Sequence, residues 1–453
     1  MKYTVFSVLL IFISALAFAG GDSDATDGKP VSIEFWTTQT QSERMATIQV
    51  LADTFMAMNP GISVELIPVD ENDMATQINA AAAAGTLPDL IEAATPNTVA
   101  FGSQGLLNME AASSLISAIG EDKFYAGVLN LNQSESGEYY SLPFHGWVQG
   151  IWYRADWFEE AGLNPPETWD DIIKAAQYFY KPAQNQYGIL VGTKSEAYAE
   201  QCFTQLAMSN GAGLFNSSGE LVFNSAPMKE ALSYYAELAK FNPPGPQTWR
   251  ARDYYLQGKM AMFFYSTYIM DDLALAEAAA GSLTSENFEE LAGSSFDPNL
   301  VKNTRMAPIL SNTQPAGYGT IVSLALPKTG NEAKTAAAEK FIRYLFSPNA
   351  YITFLHMAPG GMNPVIREIA SDPRFQADPK KIFVNYGPDK MAEIINGLDS
   401  IKTFGIVEGR RIDAASLIYS KQIIPQLIYK VTQEGMSIEA GMAWAEAEMK
   451  KLL

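Results

Sequence analysis

The chain has 453 residues, more than one hydrophobic core usually serves, so at least two domains of ~150 to 250 residues are expected. Its 50 acidic against 31 basic residues give a formal charge of -19, which repels nucleic acid and anionic membrane surfaces. One cysteine, Cys202, excludes an intramolecular disulfide, and two histidines, His145 and His356, argue against a His-rich metal site.

At the N-terminus, Lys2 precedes an apolar run from Val5 to Leu16 that ends at Ala17-Phe18-Ala19. The run is shorter than the ~20 residues of a membrane span, and small residues at its end suit signal peptidase, so residues 1–19 read as a secretory signal peptide. No cysteine follows the run to carry a lipid, which places the expected mature protein free in the periplasm. Residues 20–30 are polar and turn-rich and read as a flexible leader. Order is expected from Val31. Val31, Ile33 and Phe35 alternate as a strand, Thr37 to Gln41 form a polar loop, and Ile48, Leu51, Phe55 and Met58 recur at helical spacing before Asn59-Pro60-Gly61. Ile62, Val64 and Leu66 make the next strand. The stretch is then a βαβ unit, whose ligand loops sit at the carboxyl ends of the strands, here 36–41 and 69–73.

An alanine-rich helix from Met74 to Ala84 stops at Gly85, and a third strand opening at Leu87 runs out at Thr95-Pro96-Asn97. Gln149 to Tyr153, Met260 to Tyr265 and Thr320 to Ala325 read as further strands, and Ala155 to Ala161 as a short helix ended by Gly162. Thr168 with Asp171 is a capping pair for a helix bearing Ile172, Ile173, Ala176 and Phe179. The last third is mostly helical, ending in Ser437 to Leu452.

Several of these segments resemble the extracellular solute-binding proteins of sugar importers, a family that includes maltose-binding and glycerol-phosphate-binding proteins. The resemblance is carried in order by Gly85-Thr86-Leu87-Pro88-Asp89, Ser141-Leu142-Pro143-Phe144, Ile151-Trp152-Tyr153-Arg154-Ala155-Asp156 and Pro165-Pro166-Glu167-Thr168-Trp169. It continues through Gln257-Gly258-Lys259-Met260-Ala261-Met262 and Gly317-Tyr318-Gly319, running into Ala325-Leu326-Pro327. Arg154 stands where the family commonly has Asn. The resemblance implies an α/β, two-lobe periplasmic-binding-protein-like fold of class II, with the ligand cleft between lobes joined by a hinge. It implies one lobe over 30–138 plus 260–315 and another over 139–259 plus 316–453, with 274–305 as a surface insertion. By the same resemblance, the protein is a monomeric, non-catalytic receptor without a cofactor. It binds a sugar or oligosaccharide and delivers it to the permease subunits of an ABC importer.

Sugar binding needs flat apolar faces for the C–H patches of a pyranose and planar polar groups for paired hydroxyls. At or beside predicted strand ends stand Trp36, Phe144, Trp147, Tyr265 and Tyr318, with Thr37, Gln39, Asp70, Glu71, Asn97, His145 and Ser266 next to them. Core or hinge packing is the competing reading of each aromatic. Tyr198 and Gly361 join as turn residues able to reach the cleft, with an ordinary surface loop as the competing reading of both, and Gly319 joins from the matched segment beside Tyr318. Arg410 and Arg411 stand where glycerol-phosphate-binding relatives place an arginine on the ligand. A guanidinium fork suits phosphate or carboxylate, and a surface pair neutralising Glu408 and Asp413 is the competing reading. Asp70 and Glu71, adjacent in one loop, are poorly placed to flank a glycosidic bond. An exported glycan hydrolase is therefore a weaker alternative than a receptor for a sugar phosphate, organic acid or peptide. No P-loop spacing occurs, and Cys202 and His356 read as packed residues.

Overall fold

The computed structural model describes residues 30–274, 299–408 and 410–453. The expected signal peptide, the leader up to residue 29 and most of the 274–305 insertion lie outside the described residues. β1 (Val31–Thr37) buries Ile33, Phe35 and Thr37 on one face, as strand alternation dictates. It pairs in parallel with β2 (Ile62–Pro68) and with β3 (Leu90–Ala94). Between β1 and β2 runs α1 (Ser42–Met58), which turns Ile48, Leu51, Ala52 and Phe55 inward. Before β3, α2 (Met74–Ala84) stops where Gly85 takes a φ of 70°, a turn that favours a residue without Cβ. β3 passes straight into α3 (Thr95–Ser103), so Thr95-Pro96-Asn97 is the first turn of a helix rather than the expected loop. Pro96 is tolerated there because the first N–H groups of a helix have no intrahelical partner anyway.

All 13 residues of β4 (Leu142–Arg154) are buried, so the period-two signal is absent and only its far half was readable as a strand. α4 (Trp169–Phe179) is capped as predicted, with Thr168 Oγ1 accepting from the Asp171 N–H at 3.2 Å. Then follow β5 (Tyr187–Leu190), α5 (Ala197–Ser209), β6 (Met260–Ser266), β7 (Thr304–Ala307), β8 (Ile309–Ser311) and β9 (Pro315–Ala325). The main sheet runs β2-β1-β3-β9-β4-β6-β5, with β7 added to β4 and β8 to β9. β9 pairs with β3 through Val322–Ala325 and with β4 through Tyr318–Leu324, and β4 then gives Gln149–Tyr153 to β6. β4 and β9 are thus shared between a half built on β1–β3 and a half built on β5–β7.

This pairing differs from the expected lobe boundaries. β6 lies between β4 and β5, so residues 260–266 sit with strands of the second half. Conversely, α6 (Glu332–Leu345) packs on β1 and α1, where Phe341 meets Phe35 of β1 at 5.9 Å and Phe55 of α1 at 5.0 Å, and α7 (Pro348–Leu355) packs on α1. At the end of the chain, α8 (Ala414–Ser420) lies on α3, α9 (Ile423–Thr432) on α5, and α10 (Ile438–Lys450) on α9. Among the described residues, no helix is long and apolar enough to cross a membrane.

Candidate functional site: the interlobe cleft

The loops after β1 and β2 face residues 194–198, 244–252 and 265–272 across a cleft of about 1270 Å³. Its floor is the shared strand pair, with Trp147 and Gln149 from β4 and Thr320 and Val322 from β9. The aromatic rings here are held by neighbouring rings and by hydrogen bonds. Trp147 packs edge-on against Tyr318, centroids 6.1 Å apart. Tyr198 donates its hydroxyl hydrogen to the Phe264 carbonyl at 2.6 Å and lies 6.3 Å from the Tyr265 ring, whose carbonyl accepts from Trp152 Nε1 at 3.1 Å. Arg252 stacks over Trp249 at 4.7 Å while its Nε donates to Asp272 Oδ2 at 3.0 Å. Two contacts cross the cleft: Arg44 lies over the Tyr268 ring at 5.1 Å, and Asn72 Oδ1 accepts from the Ala197 N–H at 3.2 Å.

Beneath the loop after β1 sits Glu92, a wholly buried carboxylate in the middle of β3. It accepts from Thr37 Oγ1 and from Gln39 Nε2, the latter at 3.0 Å, and His145 Nε2 lies 3.0 Å from the same oxygen as Gln39. Gln39 in turn accepts from Arg44 at 3.1 Å, so the buried acid fixes the polar wall above it. Burying a polar group is costly unless it is hydrogen-bonded, and this carboxyl has three partners. On the cleft surface, Glu71 still meets solvent. The protein crowded around it, then Asp70, then Glu196 push its carboxyl up to about 7. Burial and then Asp272 raise Asp271 to about 6. Acids near neutrality both donate and accept, which suits hydroxyl groups.

Of the residues singled out from the sequence, the structure brings Gln39, Asp70, Glu71, Trp147, Tyr198, Tyr265 and Ser266 to the cleft wall. Thr37 and His145 lie below it on Glu92. Trp36 lies on the other face of β1 from Thr37, half-buried against the cluster that includes Val69, Met74 and Ile78, and donates to Glu34 at 3.3 Å. Phe144 is fully buried among Phe346, Tyr351 and Phe354, 4.7 to 5.3 Å away, because side chains alternate along β4 and Trp147 takes the cleft side. Asn97, Tyr318 and Gly319 line smaller cavities behind the cleft. A Cβ on Gly319 would fall 2.4 Å from the Trp147 carbonyl, and one on Gly361 2.4 Å from the Tyr268 ring, so both glycines serve close packing. Arg411 is buried. Its guanidinium donates to the carbonyls of Gln133 at 2.9 Å, Asn130 at 3.3 Å and Leu131, and so is turned to the main chain rather than into the cleft. Arg410 pairs through its backbone with Val407 in a two-stranded ribbon.

Sequence reasoning missed Arg44, Glu92, Gln149, Glu196, Trp249, Arg252 and Tyr268. Glu92 had a signal, since a charge inside Leu90-Ile91-Glu92-Ala93-Ala94 breaks an otherwise apolar central strand. Trp249 and Arg252 also had one, following the turn Pro243-Pro244-Gly245-Pro246.

The bacterial extracellular solute-binding protein family matches this chain over residues 39–352. YcjN of Escherichia coli strain K12, whose name makes it an ABC-transporter periplasmic-binding protein, is 28% identical over 425 residues, covering 93% of each chain. A mannitol-binding protein of Pseudomonas aeruginosa PAO1 is 29% identical over 207 residues, 44% of this chain and 47% of its own. Among solved structures, an ABC-transporter solute-binding protein of Agrobacterium radiobacter K84 in complex with ribitol superposes with a TM-score of 0.75 at 19% identity, covering 94% of this chain and 99% of its own. Its likeness shows a shared two-lobe fold. A family match that runs from the loop after β1 through β2, β3, both shared strands and the cleft loops establishes that this chain belongs to the bacterial extracellular solute-binding proteins.

Proposed function

We propose that this protein is the periplasmic receptor of an ABC importer, non-catalytic and monomeric, that takes a sugar, oligosaccharide or sugar alcohol in the interlobe cleft and hands it to the permease. The observation that carries the reading is the cleft wall itself. Trp147, Tyr198, Tyr265 and Tyr268 offer flat faces for C–H patches, and Gln39, Gln149, Glu71 and Asp271 stand between them for hydroxyls. Relatives named for mannitol and solved with ribitol support the same ligand class. The anionic-solute alternative loses its main support, because the Arg411 guanidinium is engaged by carbonyls. Export through a signal peptide over 1–19 accords with the family's extracellular role. The pairing described above supports a first lobe on β1–β3 with α1–α3, α6 and α7, and a second on β5–β8 with α4, α5, α9 and α10.

Calorimetric titration with D-mannitol, ribitol, maltose and mixed glycans, followed by recovery of the bound fraction, tests this. A receptor binds one equivalent and returns it unchanged, and an enzyme depletes it. Tyr268→Ala should weaken binding by ~1 to 3 kcal/mol, with thermal unfolding of the free protein little changed, because Tyr268 is only half-buried. Trp147 and Tyr265 are less than a tenth exposed, so alanine at either lowers stability as well. Unchanged affinity in Tyr268→Ala would remove that ring from the site.

A further inference from the structure

Glu71, Asn72 and Ala197 line both the cleft and a small cavity of about 10 Å³ that Asn97, Tyr419 and Glu200 close from behind. Glu200 and Tyr419 also bound a second cavity of about 60 Å³, shared with Thr204 and Tyr318. Glu200 stands near the start of α5 and is 4% exposed. Its backbone carbonyl accepts from Thr204 Oγ1 at 2.7 Å, but its carboxyl has no hydrogen-bond or ion-pair partner among the described residues. A buried acid is costly without a hydrogen-bond partner, and among the described residues its own half of the molecule supplies none.

The titratable groups around it are Glu71 from the loop after β2, Tyr318 from β9, Tyr419 from α8, and Arg411 on the far side of the larger cavity, its guanidinium already engaged. Cys202 on the same helix bonds instead with Tyr198 and Tyr235, Tyr235 also donating to the Gly192 carbonyl at 2.7 Å, and Tyr429 of α9 lines the main cleft. None of them gives Glu200 a cation.

We propose that Glu200 is the inner specificity residue of the cleft, taking a ligand hydroxyl that reaches past Glu71, donating to its oxygen and accepting its hydrogen or that of the neighbouring hydroxyl. The inference rests on the carbohydrate reading of the cleft. It identifies the ligand as one with a free hydroxyl or vicinal diol at its buried end. Burial alone pushes the Glu200 acid up to about 8, so it keeps its proton at neutral pH and has a hydrogen to donate.

Titration of the wild type, Glu200→Gln and Glu200→Ala with D-mannitol, ribitol and maltose at about pH 6.5 and about pH 9 tests this. Ionisation of Glu200 at the higher pH removes the donor, so wild-type affinity should fall about tenfold beyond the change that Glu71, raised to about 7, contributes over the same window. Glu200→Gln, a permanent neutral mimic, should bind within about twofold of the wild type at the lower pH and keep at the higher pH only the change that Glu71, raised to about 7, brings to both proteins. Glu200→Ala should lose about tenfold at the lower pH. Thermal unfolding of the ligand-free proteins gives a second readout. Because the folded-state acid titrates above its ordinary value of 4.5, the unfolded chain ionises first as pH rises from there towards 8. Over that window the wild type should lose stability relative to Glu200→Gln. A Gln variant as weak as Ala, an Ala variant as tight as wild type, or no widening of the unfolding gap overturns the assignment while leaving the carbohydrate reading intact. If the wild type takes none of the three probes at either pH, the carbohydrate reading falls, and this inference falls with it.

Discussion

Arg411→Met should lower the stability of the free protein by about 3 to 5 kcal/mol. Arg411 is 8% exposed, and its guanidinium satisfies the carbonyls of Asn130, Leu131 and Gln133, the turn that leads from the first half towards β4. Met keeps most of the stem's packing but leaves those acceptors buried without donors. Asp413, which accepts from the Tyr140 hydroxyl, also loses the positive charge it interacts with on Arg411. Denaturant unfolding measures the loss as a lower midpoint with an unchanged slope. Carbohydrate affinity of the folded fraction should stay within about twofold, since the side chain is turned away from the cleft. Unchanged stability with affinity lost by several kcal/mol would place Arg411 on the ligand instead.

Phe144→Ala should cost a similar ~3 to 5 kcal/mol, for a different reason. The ring is fully buried among Phe346, Tyr351 and Phe354, and the Tyr351 hydroxyl donates to the Phe144 carbonyl, so the surrounding rings have little freedom to collapse into the space left. The loss should appear in the unfolding midpoint. Ligand binding measured below the transition should be retained, whereas a loss of affinity with the midpoint unchanged would return Phe144 to the cleft wall.

Much of the architecture was legible because it is written in local patterns. The alternation of Ile33 and Phe35, the Thr168–Asp171 cap and the stop at Gly85 each act within a few residues, and each appears in the structure as read. The neighbours of β6 in the sheet were not legible. Met260 to Tyr265 is apolar on both faces, which marks a central strand but does not name its neighbours. The same limit separates Phe144 from Trp147: both are aromatics on one strand, and which face meets the cleft depends on how β4 sits against β9. Arg411 illustrates a third limit. A guanidinium suits a ligand anion and a set of orphan carbonyls equally well, and residues 130–133 are nearly 280 positions away in the chain. Glu200 gave no signal at all, since one acid in a helix ordinarily faces water.

The two halves share β4 and β9, and the cleft walls come from both, so a ligand touching both walls stabilises a closed form by its differential contacts. The most direct measurement is small-angle X-ray scattering of the free protein and of the protein saturated with a carbohydrate whose one-to-one binding has been shown by calorimetry. A smaller radius of gyration on saturation is the expected result. An unchanged radius with binding complete would contradict closure of the two lobes over the ligand.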